Sequence, residues 1–383
     1  MKKYFFALVI VAINLAVIIT AGEMYARIKH AERLKMRAEE IDYRRSDLVL
    51  HHSLRPGATG RSVTGEWDVE YRINALGLRD AELDTAKPEG VYRILLLGDS
   101  FTEGYGVSAG ERFSDILESS LEQEDGSFEV VNAGVASYSP LLEYIYLREN
   151  GLELEPDMVV LFYDLGDLRD DLEYENITEF DKGGFPVACA PLKRVRAISD
   201  NPLERFLARH SRFYLYLENK VNNLVYKLGK GEEGETYGED DPADFNRFVA
   251  FHAGPDLIGR LWQRSRRYLD LIHDMLKQRG IDMVLAVYPF AVEIDGMEWS
   301  EGREEYGFKV GRVYPRPGIR GMIKKYAEDR GIRFIDMHSY MEEAGDGPLY
   351  FAFDGHFTPK GHEVMGKGLS EEFRVILEDK DMT

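Results

Sequence analysis

The chain predicts an α/β protein built on a doubly wound, mainly parallel sheet, and three stretches carry that expectation. The first is residues 93–100, Arg-Ile-Leu-Leu-Leu-Gly-Asp-Ser, in which an apolar run closes at Gly98 and hands over to Asp99 and Ser100. Such a run suits a strand buried on both faces of a parallel sheet. The second is the alternation that follows: residues 128–132, 157–163, 282–288 and 332–337 read as further buried strands, separated by stretches with helical spacing. The third is the loop Asp354-Gly355-His356-Phe357-Thr358-Pro359-Lys360-Gly361-His362, directly ahead of an amphipathic stretch over 360–378. Open α/β sheets take their ligands beyond the carboxyl ends of the strands. A hydroxyl at Ser100 therefore stands where chemistry is expected.

Taken in order, Lys2 and Lys3 precede an apolar run over 4–21 interrupted by Asn14 and Thr20. That length is at the lower limit for crossing hydrocarbon. No small-x-small cleavage site follows, since Ile19 stands two before Ala21 and Met24 two before Ala26. The run reads as an uncleaved signal-anchor, with a signal peptide as the alternative. Lys2 and Lys3 favour a cytoplasmic N-terminus, while Arg27, Lys29, Arg33, Lys35 and Arg37 pull the other way. Residues 23–43 read as a helix continuing above the membrane, and Pro56-Gly57-Ala58-Thr59-Gly60 as a linker. Residues 67–73 alternate like a half-buried strand, and 74–77 form a turn. The expected division is a transmembrane segment over 1–22, a juxtamembrane helix and linker over 23–65, and one domain over 66–383.

Within that domain, 112–122 reads as a helix, and Ser139-Pro140 starts another that ends at Gly151. Residues 173–254 break the rhythm and read as an insertion that caps the site. Its Phe213, Tyr214 and Tyr216 suit either core packing or a sugar-binding surface, and the acidic 229–241 reads as a mobile loop. Helices are expected over 255–279 and 318–330, with an irregular excursion over 290–316 between them.

Composition narrows the function. With 48 Lys and Arg against 68 Asp and Glu, the net charge of -20 excludes a nucleic-acid partner. The single cysteine, Cys189, excludes an intrachain disulfide and a cysteine-built zinc site. No metal and no cofactor is expected.

A serine, a histidine and an aspartate two residues before it are the parts of a nucleophile, base and orienter. Gly98-Asp99-Ser100 with Phe101-Thr102-Glu103-Gly104, paired with the late Asp354-x-His356, resembles the GDSL or SGNH hydrolase family over residues 71–377. The likeness is nearest to bacterial members with an N-terminal membrane segment and the phrase Asn-x-Leu-Gly-Leu-Arg-Asp, here Asn74 to Asp80. The resemblance implies a flavodoxin-like three-layer sandwich and a serine esterase with Ser100 as nucleophile, His356 as base and Asp354 as its orienter. It also implies a periplasmic or extracellular catalytic domain acting on an acylated carbohydrate, a cell-envelope polymer or a small ester. His362 is the alternative base, or else packs against the loop. Thr102 stands where a nucleophile elbow would carry glycine, which argues against an ordinary α/β-hydrolase.

The family's oxyanion donors are the serine N–H, a glycine N–H after the second strand and an asparagine amide after the third. Here Ser100 is kept, Ser137 replaces the glycine, and Gly166 falls where the asparagine is expected. Asp164 and Asp167 accept but do not donate while ionised. Three explanations stand: another donor such as the Gly166 N–H, an aspartate with a raised pKa, or a weak or inactive site. Asp99, Asp164, Asp167, Asn74 and Arg79 are candidate substrate contacts, Asn74 and Arg79 equally a turn residue and a surface ion pair. The cluster Asp164, Asp167, Asp170 and Asp171 reads as loop-capping, solvated acids, with a divalent cation site as the alternative. Beside the esterase stand two rivals: a polysaccharide O-acetyltransferase using the same triad, and a non-catalytic carbohydrate-binding scaffold.

Overall fold

Five strands form one parallel sheet: β1 (Tyr92–Leu97), β2 (Phe128–Asn132), β3 (Met158–Tyr163), β4 (Asp282–Val287) and β5 (Arg333–Asp336), in the order β5-β4-β3-β1-β2. The computed structural model describes residues 2–29, 43–125, 127–192, 248–345 and 347–381, together with Phe206, Leu207, Ser211, Phe213, Tyr214, Tyr216 and Leu217. The apolar runs place the strands as the sequence predicts, and Ile94 to Leu97 and all of β3 are buried. From β1 the chain goes first to one side, β2, and then to the other, β3. The crevice beyond the ends of β1 and β3 is thus the switch point at which such sheets bind ligands.

The flanking helices are α1 (Ser100–Glu103), α2 (Phe113–Asp125), α3 (Pro140–Glu149), α4 (Asp167–Glu175), α5 (Pro255–Lys277), α6 (Pro317–Arg330) and α7 (Pro359–Asp381). Helix α2 packs against α7, and α5 against α3 and α4. In α5 the residues Leu257, Leu261, Tyr268, Ile272 and Met275 recur at helical spacing and are buried, which fixes the face turned inward. Arg93, fully buried at the amino end of β1, holds Glu129 Oε2 at 2.6 Å and donates to the carbonyls of Thr85, Asp84 and Leu154. A buried guanidinium is tolerated because its donors are met.

The chain divides into two units, one of 1–40, 63–65 and 194–237, the other of 41–62, 66–193 and 238–383. In the smaller, a helix runs unbroken over Lys2–Lys29, and its stretch Val9–Ile28 has a mean hydropathy of 1.9. It is long and apolar enough to cross a membrane or to be a signal sequence. Phe213, Tyr214 and Tyr216 pack on this helix: the Phe213 ring covers Gly22, Tyr216 meets Tyr25 edge-on at 5.9 Å, and Tyr214 and Tyr216 cover Ala26. Glu23 Oε2 accepts from Ser211 Oγ at 3.0 Å and from Phe213 N at 2.9 Å. These contacts are those of the packing alternative. Residues 229–241 and the remainder of 30–42 lie outside the described residues.

Two further expectations change. Residues 44–65, read as juxtamembrane helix and linker, contain an antiparallel ribbon, Arg44–Asp47 with His51–Leu54, and the strand Thr59–Val63, which pairs with the strand expected over 67–73, here Asp68–Arg72. Their polar residues are satisfied across the ribbon, with Arg45 Nε donating to Ser53 Oγ and Ser53 Oγ to Asp47. No local period announces such pairing. The acid-rich stretch after β3 forms helix α4, and residues 178–189 form a short ribbon, Thr178–Phe180 with Pro186–Cys189. The insertion thus contributes ordered elements to the larger unit before residue 193.

Candidate active site

Helix α1 is one turn long and starts at the end of β1. Asp99 caps it: Oδ1 accepts the Phe101 N–H at 2.9 Å and the Tyr288 hydroxyl at 2.6 Å. Gly98 makes the turn possible, because a Cβ there would lie 2.2 Å from Thr102 Oγ1. The result is a Ser100 side chain only 6% exposed, aimed at a loop from the far end of the chain.

His356 Nε2 lies 2.7 Å from Ser100 Oγ, and His356 Nδ1 is hydrogen-bonded to Asp354 Oδ1. A carboxylate only accepts, so Nδ1 carries the ring proton and Nε2 is free to take the serine's. Phe101 and Tyr105 lie against the imidazole with centroids 4.7 and 4.9 Å away and fix its plane. The loop itself is held from three directions. Glu66 accepts from Phe353 N at 2.9 Å and Asp354 N at 3.0 Å, Trp299 Nε1 donates to Phe353 O at 3.0 Å, and Glu298 takes the N–H groups of Leu349 and Tyr350. The excursion over 290–316 thus reaches the site. Glu66, Trp299 and Glu298 were not foreseen, because nothing in their local pattern marks them.

His362 is settled as a packing residue. It is 1% exposed between Phe113 and Phe357, its Nδ1 accepts the Phe113 N–H at 3.2 Å, and burial pushes its pKa down to about 3.

The loop after β2 crosses α1 closely, and a Cβ on Gly134 would lie 2.5 Å from Glu103 N. Val135 N donates to Gly98 O at 3.0 Å and Ala136 N to Glu103 Oε2 at 2.7 Å. Ser137 is exposed with φ +68°, a left-handed conformation that glycine adopts without strain. Among the described residues, neither the Ser100 N–H nor the Ser137 N–H has a partner.

The loop after β3 corrects the expectation for Gly166. Its N–H already donates to Asp164 Oδ1 at 2.5 Å, as does the Asp167 N–H at 3.1 Å, while Asp164 N donates to Asp167 Oδ2 at 3.0 Å. Asp164 and Asp167 cap the start of α4, and the Gly166 N–H is not available to an oxyanion. Nor are these acids solvated: Asp164, Asp167 and Asp171 are at most 3% exposed, and Glu143 joins them at 1%. Burial, then the neighbouring Asp164, pushes Asp167 well above the carboxylate range, and burial raises Asp171 to about 7. Among the described residues no group of three His, Cys, Asp or Glu is arranged to hold a metal.

Asn74 and Arg79 are buried and structurally engaged, not at the rim. Asn74 Oδ1 accepts from Leu76 N and Leu78 N, and its amide donates to Ala81 O. Arg79 stacks on Tyr71 at 3.8 Å and donates to the carbonyls of Glu103, Gly104 and Val107, bracing the chain that leaves α1. Asp99 likewise faces α1 and Tyr288.

No family model matches the chain, and no curated protein matches it. Among solved structures, it is similar to a member of the lipolytic protein G-D-S-L family from Veillonella parvula at 14% identity, covering 74% of this chain and 99% of that one, with a TM-score of 0.36. It is similar to a GDSL-like lipase from Bacteroides thetaiotaomicron at 13% identity, covering 76% and 92%, with a TM-score of 0.36. A third likeness is a catalytic mutant of an acetylxylan esterase from Geobacillus stearothermophilus, at 14% identity, covering 75% and 96%, with a TM-score of 0.39.

Proposed function

We propose that the chain is a membrane-anchored serine esterase of SGNH type that removes a small acyl group, acetyl first among them, from a carbohydrate or cell-envelope polymer. One observation carries the reading: Ser100 Oγ, the His356 ring and Asp354 are joined by consecutive hydrogen bonds at the switch point of the sheet. His356 Nε2 takes the Ser100 proton as the oxygen attacks the ester carbonyl, and Asp354 stabilises the imidazolium that forms. The charged carbonyl oxygen is met by the N–H groups of Ser100 and Ser137. His356 then returns the proton to the leaving alkoxide, and a water repeats the cycle to release the acid. The third donor of the family is missing at Gly166. Burial pushes the Asp167 carboxyl well above the carboxylate range, which favours the neutral form that does not oppose an oxyanion. Anchorage by the helix Lys2–Lys29 and an exported catalytic domain belong to the same reading.

The full-length protein in detergent, assayed with p-nitrophenyl acetate and a fluorophosphonate probe, tests it. Labelling and turnover are expected in the wild type and lost in Ser100→Ala. Turnover that survives Ser100→Ala, or a wild type that neither turns over nor takes the label, sinks the proposal. The second outcome favours the scaffold, and acyl transfer to an added oligosaccharide favours the transferase.

A further inference from the structure

The peptide unit that carries the Ser137 N–H also carries the Ala136 carbonyl, and its planarity means that holding one holds the other. That carbonyl is met by His52 Nε2 at 2.8 Å. A carbonyl oxygen only accepts, so the ring proton is on Nε2. His52 is 5% exposed, and burial lowers its pKa to about 4, so the ring is neutral and Nδ1 is a lone pair. His51 Nδ1, 2.8 Å away, is therefore the donor to it.

The backbone goes to some length to present this pair. His51 has φ +62° in a tight turn closed by the His52 N–H on Leu50 O at 2.6 Å. For a non-glycine residue such a conformation is strained and persists only where the surroundings impose it. Here Cys189 N holds Val49 O at 2.8 Å and Leu192 N holds His51 O at 2.7 Å. The same loop is gripped on its other polar groups: Glu103 accepts the Ala136 N–H, the Tyr174 hydroxyl donates to Ser137 O at 2.8 Å, and the Tyr138 hydroxyl donates to His52 O at 2.8 Å.

We propose that His52 is the positioning residue of the oxyanion hole, its Nε2–H bond to the Ala136 carbonyl turning the Ser137 N–H toward the oxygen that becomes charged on the acyl carbon at Ser100. The inference rests on the esterase reading and adds a residue to it. His52 touches no substrate and transfers no proton. It orients the amide, and by drawing on the carbonyl it makes the N–H at the other end of that peptide a stronger donor.

Two amide variants test it, because a glutamine places its nitrogen near Nε2 and an asparagine near Nδ1. In the full-length protein, His52→Gln is expected to keep most of the kcat for p-nitrophenyl acetate. His52→Asn and His52→Phe are expected to lose kcat by on the order of 10- to 100-fold with KM within about twofold. Equal kcat in the Gln and Asn variants overturns the proposal even where the Phe variant does not fold, as does a folded Phe variant with kcat within about twofold of wild type. With wild-type turnover abolished by Ser100→Ala, these results fail the inference alone. Without such turnover, the esterase reading falls first and the inference with it.

Discussion

The two walls of the crevice differ in kind. The wall proposed to move protons, Ser100 with His356 and Asp354, is joined throughout: each polar atom on that path has a partner at hydrogen-bonding distance. The wall proposed to receive negative charge departs from the expected donors. Ser137 takes a left-handed turn that suits glycine, and Gly166 stands where an amide is expected, with its N–H already given to Asp164. A backbone donor survives a change of side chain provided the loop keeps its path, and a side-chain donor does not. The first substitution leaves the Ser137 N–H in place, and the second removes a group.

Breaking the complete wall should have the largest effect. Ser100→Ala leaves binding but no nucleophile, and a loss on the order of 10⁴- to 10⁶-fold in kcat is expected in the ester assay. A loss of less than about tenfold would show that the hydroxyl is not the attacking group. Next comes Asp354→Asn. An amide in that place can present N–H to Nδ1 and stabilise the wrong tautomer, so kcat should fall by about 10³- to 10⁴-fold with folding intact. If the loss is accompanied by a matching drop in unfolding temperature, Asp354 matters to the loop and not to the imidazole.

The incomplete wall should answer in the other direction. Gly166 has φ −72° and ψ −30°, angles open to any L-residue, so Gly166→Asn restores a side-chain amide without backbone strain. A gain of about tenfold in kcat is expected, less than the full worth of an oxyanion donor because nothing around residue 166 has been shaped to hold it. An unchanged or lower kcat would show that the site already has its third donor. Aspartate protonation is then the place to look, through Asp167→Asn.

How far this contrast was legible in the sequence follows from range. The strands and Ser100 announce themselves because an apolar run and its closing glycine are neighbours in the chain. His356 and Asp354 announce each other at a spacing of two. What was missed is satisfied only across long loops. Glu66 holds the backbone of a loop almost three hundred residues away, at Phe353 and Asp354. Asp164 and Asp167 look like solvated acids because four aspartates within eight residues suggest a surface, whereas two of them are spent on capping α4. Arg79 and Asn74 sit in the right phrase and face the wrong way. A motif fixes which residues recur, and only packing decides which of them touch substrate.

The same buried acids give the smallest effect and the most specific one. Asp171 accepts the Leu141 N–H at 2.9 Å and shares a hydrogen bond of 2.5 Å with Ser265 Oγ, and burial raises its pKa from 3.8 to about 7. The folded protein therefore keeps a proton that the unfolded chain releases. The stabilisation from this group is complete below pH 3.8 and is lost as pH rises toward about 7, an interval equivalent to at most roughly 4 kcal/mol. Asparagine imitates the protonated acid at every pH. The unfolding temperature of Asp171→Asn, measured against wild type, should therefore gain between about pH 4 and 7, by a few degrees in all, and level off above that. His52 and His362, whose lowered pKa values act in the opposite sense, are present in both proteins and cancel in the difference. A difference that stays level across that range, or shrinks as pH rises, would mean that Asp171 is ionised in the folded state and that the acids behind the incomplete wall carry charge after all.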